Sequence, residues 1–259
     1  MPKPNSTRLF LKLDTWLAAA VLGALRVAVN DPFRANDRDS KEAGNVQNDL
    51  QGALGELVCL QYLESKNVTN IRHNALDLNR PVNEADFVGE VNGKVKSFEA
   101  KCELAEQRKS YFLINDRAHR RSQERGADCY IPIFTSLGAD QCLIGSSIKI
   151  DDVSKWPVGY FGKRRDPARY IGLAEAAQSY FGVSAGSLKA PMLKSAYSSA
   201  KQQDIAPFAI KRNEMLAAVR ANNINLSNLP YIELVRTLLE IAEQAQIIDL
   251  PLLTDELVN

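Results

Sequence analysis

The sequence predicts a mixed α/β fold, a sheet flanked by helices, with helical extensions at both ends. Three observations predict it. Leu50, Leu54, Leu57, Val58, Leu60, Tyr62 and Leu63 recur at the 3.6-residue spacing of a helix from about 50 to 66. Asn92-Gly93 is a strong two-residue turn between two strand-like runs, 85–91 and 95–102. A helix from about 115 to 125, closed by Gly126, precedes the apolar run Cys129–Phe134.

At the N-terminal end, Leu9, Leu13, Trp16, Leu17, Val21, Leu25 and Val29 recur at helical spacing, which predicts a buried helix. Lys3, Arg8 and Lys12 precede its apolar run, Trp16 to Leu25, as in a signal peptide. That run is about half the length that spans a bilayer. Arg26 interrupts it, and no small-residue cleavage pattern follows. The expectation is a soluble, cytoplasmic protein with no membrane span. Residues 30–48 are polar and charged and read as a loop. The helix that follows carries Glu56.

In the strand 95–102, Phe98, Ala100 and Cys102 share one face, and Glu99 and Lys101 the other. Pro132, inside the run Cys129–Phe134, points to an edge strand or a bulge. Residues 141–145 and 147–150 read as one more strand, bent at Gly145. Residues 156–169 read as a basic loop. From about 171 the chain reads as helices, clearest at 213–220 and 231–246, with Asn228 and Pro230 starting the last. The expected division is a helix and loop over 1–48, a core over 49–170 and a helical region over 171–259.

Composition narrows the function. With 32 Lys and Arg against 31 Asp and Glu, the net charge of +1 excludes a strongly basic chromatin-type protein. It leaves room for a local phosphate-binding face. Cys59, Cys102, Cys129 and Cys142 include no C-x-x-C pair, and the two histidines are His73 and His119. That pattern fits neither a structural zinc site nor a disulfide scaffold.

The residues that carry chemistry are Glu56, Asp86 and Glu99-Ala100-Lys101. Asp86 and Glu99 fall on hairpin-paired strands either side of Asn92-Gly93. Two carboxylates, a backbone carbonyl and waters make a Mg²⁺ site, and Asp86, Glu99 and the Ala100 carbonyl supply that set. Lys101 lies on the Glu99 side of its strand, where an ammonium can orient a metal-bound water and offset developing charge. Glu56 is placed to hold a second metal or to anchor the water shell.

This pattern resembles the PD-(D/E)XK nuclease superfamily. Its signature is an acidic residue on the second core strand, then (D/E)-x-K on the third, here Asp86 and Glu99-Ala100-Lys101. Many members carry a glutamate in the preceding helix, which Glu56 matches; Ala85-Asp86 stands in place of Pro-Asp. The family's order α-β-β-β-α-β fits residues from about 49 to 145. The resemblance implies a restriction-endonuclease-like core and a DNA endonuclease that uses Mg²⁺ or Mn²⁺. It implies catalytic roles for Asp86, Glu99, Lys101 and Glu56, with Asp86, Glu99, Ala100 and Glu56 around the metal. By analogy it suggests a type II restriction or phage-defence enzyme, acting as a homodimer on double-stranded DNA. The alternatives are a structure-specific nuclease (a Holliday-junction resolvase or repair enzyme) and a non-cleaving DNA-binding module. Residues 108–126 hold six bases against two acids, so Arg117, His119, Arg120 and Arg121 are candidate DNA contacts. Lys163, Arg164 and Arg165, interleaved with Tyr160, Phe161 and Tyr170, are a second candidate set.

Overall fold

Alternation along one strand organises the molecule. Cys129, Ile131 and Ile133 belong to one buried cluster, and Tyr130 and Phe134 to another, so the strand carries a core on each face. The computed structural model describes residues 6–34, 46–74, 85–105, 110–161, 167–189 and 205–249. The chain begins with β1 (Thr7–Phe10), α1 (Leu13–Arg34), α2 (Val46–Ser65) and β2 (Thr69–His73). Next come β3 (Phe87–Val91), β4 (Lys94–Leu104), β5 (Tyr111–Asn115), α3 (Asp116–Glu124), β6 (Cys129–Thr135), β7 (Gln141–Ile144) and β8 (Ile148–Lys149). It continues through α4 (Ile150–Val153), β9 (Val158–Gly159), β10 (Ala168–Gly172), α5 (Leu173–Ala176), a π-helical turn (Ala177–Phe181) and α6 (Ala185–Lys189). Last are α7 (Ala206–Ile210), α8 (Arg212–Ala221) and α9 (Tyr231–Gln244).

The fold is mixed α/β. A large sheet runs in the order β1-β7-β6-β4-β3-β2, with β8 beside β6, and a small sheet runs β5-β10-β9. β4 and β6 pair in parallel, and the other described pairings are antiparallel. Asn92 and Gly93, at φ 51° and 71°, both take the left-handed conformation that a tight β3–β4 turn requires. α3 starts on Asn115, whose Oδ1 accepts from the Ala118 N–H at 2.9 Å, and ends before Gly126 at φ 69°.

α1 is surrounded by α2, α8 and α9. Ala18, Ala19, Val21, Leu22, Ala24 and Leu25 on it are fully buried. It crosses α2 closely enough that a Cβ on Gly23 would stand 2.7 Å from the Leu50 nitrogen. Leu13–Asn30 is long and apolar enough to cross a membrane, yet 78% of it is buried inside the molecule. Here it packs as a core helix. None of the four cysteines is in a disulfide, and all are buried.

Several elements differ from the sequence reading. Leu9 pairs with Cys142 in β1, at the sheet edge, and the first helix begins only at Leu13. That helix runs to Arg34, into residues that read as loop; Pro32 sits in its last turn, where a missing N–H costs a single bond. β6 is interior, not an edge. Its antiparallel neighbour changes from β7 at Ile133 to β8 at Tyr130, and Pro132 sits at that break. The Pro132 carbonyl accepts from Gly145, so its N–H-lacking nitrogen faces the same break. The described part of 156–169 supplies β9 and the start of β10, both in the small sheet.

Candidate active site

The β4–β6 register places Glu99 beside Tyr130, Lys101 beside Pro132 and Glu103 beside Phe134. Tyr130 and Phe134 face the second core, so Glu99, Lys101 and Glu103 face the α3 side. Phe98 and Cys102 face the other way, against α1 and α2. Gly55 of α2 sits so close to β4 that a Cβ there would lie 2.8 Å from the Cys102 Cβ.

Asp86, just before β3, is partly buried, and its Oδ2 accepts from the Ala100 N–H at 2.9 Å. In an extended strand the carbonyl of a residue points the same way as its N–H. The Ala100 carbonyl is therefore turned to the Asp86 side. Glu99 is buried, and its Oε1 has no hydrogen-bond partner. Burial pushes the Glu99 carboxyl up to about 7; Arg125 opposes the shift, and the charge of Glu56 adds to it. Burial also holds Asp86 well above the usual carboxylate range, with Glu56 and Glu99 both repelling its charge. Lys101 is partly buried and makes no hydrogen bond or ion pair among the described residues. The cation that acts most on Glu99 is Arg125, at the end of α3.

Glu56 approaches from the opposite face. Its Oε2 receives a charge-assisted hydrogen bond from Arg26 of α1 and lies 3.3 Å from His73 Nε2 of β2. His73 is fully buried and stacks on Phe87, ring centroids 4.8 Å apart. Burial works against ionisation of Glu56, but Arg26 and His73 together hold its carboxyl below the ordinary value. Sequence reasoning missed both partners. The signal was Arg26 itself, one charge inside an apolar helix, which is tolerated in a core only with a counter-charge.

On the α3 side, His119 is fully buried. Its Nδ1 lies 3.1 Å from the Tyr130 hydroxyl and its Nε2 3.0 Å from Ser154 Oγ. Burial and nearby Arg169 hold its pKa below the ordinary value, which keeps the ring neutral. With both nitrogens engaged and no exposed surface, His119 does not fit the expected phosphate contact; it fixes α3 to β6 and α4. Arg117, Arg120 and Arg121 are exposed. Arg120 pairs with the buried Asp116 at 2.6 Å, and Arg169 pairs with it at 2.9 Å. Lys163, Arg164 and Arg165 lie outside the described residues.

Among the described residues, no group of three or more His, Cys, Asp or Glu side chains is placed to hold a metal ion. Mg²⁺ asks for less: one or two carboxylates, with most of its waters kept. Asp86, Glu99 and the Ala100 carbonyl fit that demand, and the orphaned buried Oε1 of Glu99 is the kind of atom a cation would satisfy. Glu56, held by Arg26 and His73 on the other face, is not part of that set. Comparison of the chain with family models, with curated proteins and with solved structures gave no match.

Proposed function

We propose that this protein is a Mg²⁺-dependent DNA endonuclease of the PD-(D/E)XK type, working in the cytoplasm. The observation that carries the reading is the bond from Asp86 to the Ala100 N–H, which draws one carboxylate to the Glu99-Ala100-Lys101 strand. The element order supports it: α2, then the antiparallel β2, β3 and β4, then β5 of the small sheet and α3, then β6 parallel to β4. A divalent cation held by Asp86, Glu99 and the Ala100 carbonyl would polarise a phosphate oxygen and lower the pKa of a bound water. Lys101, in no ion pair among the described residues, orients the attacking water and offsets charge developing on the phosphate. Arg117 and Arg121 face solvent on α3 and meet the DNA backbone. A restriction or phage-defence role as a homodimer on duplex DNA follows by analogy, since two strands need two sites.

The absence of a three-ligand group among the described residues favours a second reading, a DNA-binding module on the same fold that does not cut. Supercoiled plasmid, phage DNA and branched DNA, incubated with Mg²⁺ or with EDTA, separate the two. Discrete fragments that require Mg²⁺ and vanish in Lys101→Ala and Asp86→Ala are the expected result. Cleavage of branched DNA alone would make it a structure-specific nuclease. Binding without cleavage under every condition would leave the second reading, and cleavage that survives both substitutions would overturn the proposed site.

A further inference from the structure

We infer that the site takes a single divalent cation, because Arg26 and His73 hold Glu56 as a fixed counter-charge on the far side of the sheet. The inference rests on the endonuclease reading and deepens it. Glu56 is the third carboxylate near Asp86 and Glu99, and a second metal would need it as a ligand. Three facts stand against that. Its Oε2 already receives Arg26 and His73, a guanidinium and a ring N–H. An ionised carboxylate only accepts, so His73 Nε2 must carry the proton. The clamp is also rigid. His73 is fully buried and pinned flat on Phe87 at an interplanar angle of 19°, and Arg26 extends from a helix packed on three sides. Finally, Glu56 lies on the α2 face with His73 and Phe87, whereas Glu99 points to the α3 face.

A second cation next to Glu56 would therefore sit against the Arg26 guanidinium and be repelled by it. Arg26 holds the place that a second metal would otherwise take. Glu56 still contributes at a distance, since its charge acts on both Asp86 and Glu99. It raises the negative potential at the site without touching the ion.

Titration of the full-length chain with Mn²⁺ into the millimolar range, followed by the electron paramagnetic resonance of free Mn²⁺, tests this. The expected result is one ion per chain, lost in Asp86→Asn and retained in Glu56→Gln with affinity within about tenfold of wild type. Two ions per chain in the wild type, or loss of the ion in a folded Glu56→Gln, would overturn the inference and leave the endonuclease standing. No bound ion in the wild type, or an ion that survives Asp86→Asn, would overturn the endonuclease reading and this inference with it. The wild-type count holds even if the Glu56 variant does not fold.

Discussion

The two faces of the central sheet treat buried charge in opposite ways. On the α2 face, Glu56 is answered by Arg26 and His73, and its carboxyl is held ionised. Glu99, on the α3 face, and Asp86, at the strand edge where the charges of both Glu56 and Glu99 reach it, have one Glu99 oxygen unpartnered between them, and both carboxyls are pushed up. A chain shaped for stability alone would pair the second set as it pairs the first. Carboxylates that stay raised despite their neighbours, in a well-packed region, are candidates for a functional site.

The sharpest way to break this comparison is to remove the compensation. Arg26→Ala leaves Glu56 buried with only His73 beside it and should cost about 3–5 kcal/mol in urea unfolding. A loss no larger than that of a surface change would show that the clamp is not structural.

The pH dependence of stability should separate the faces next. Glu99 binds its proton more tightly folded than unfolded, so stability falls as pH rises from about 4.5 to about 7, and the penalty is complete above that. Glu99→Gln should remove this slope and be more stable than wild type by about 1–3 kcal/mol near neutral pH and above. Glu56, held low, works in the opposite sense: its contribution is present above its unfolded value of 4.5 and is lost as pH falls through its lowered folded value. Thermal melts from acid to alkaline pH, without divalent ions, would read both slopes.

Smaller effects sharpen the picture on α3. His119→Ala empties a buried site and leaves Tyr130 and Ser154 short of a partner, at a cost of about 2 kcal/mol in chemical denaturation. The DNA affinity of the folded variant should be unchanged. Arg121→Ala should shift stability by less than about 0.5 kcal/mol. It should flatten the slope of log affinity against log salt by about 0.9, as loss of one phosphate contact requires.

What the sequence made legible was local. The Asn92-Gly93 turn, the strand bearing Glu99 and Lys101, the stop at Gly126 and the strand after it are all written in short-range chemistry, and the structure has each. What it hid depends on residues far apart in the chain. Leu9 fits a helical spacing by coincidence; pairing with Cys142 decides that it is a strand residue. The small sheet was unreadable because β5 and β10 are edged by polar and aromatic residues with no clean alternation, and each is held by the other. Glu56 was placed on the right helix, but its partners come from α1 and β2. His119 shared a segment with six bases, and only packing showed that its ring points inward.

The closing of the sheet by β1 has a consequence for how the protein assembles. Leu11 bonds to the Asp140 carbonyl, the Trp16 indole donates to the Ala139 carbonyl at 2.7 Å, and Thr15 meets the Tyr231 hydroxyl at 2.7 Å. Each partner leaves the ribosome long after α1 does. Contacts of such sequence separation form slowly, because a long loop must close before they contribute. The apolar segment 13–30 is thus made early, meets α2 first and is fully covered only when β7 and α9 arrive, and the interval between is when the nascent chain is most open to aggregation or to capture by a chaperone.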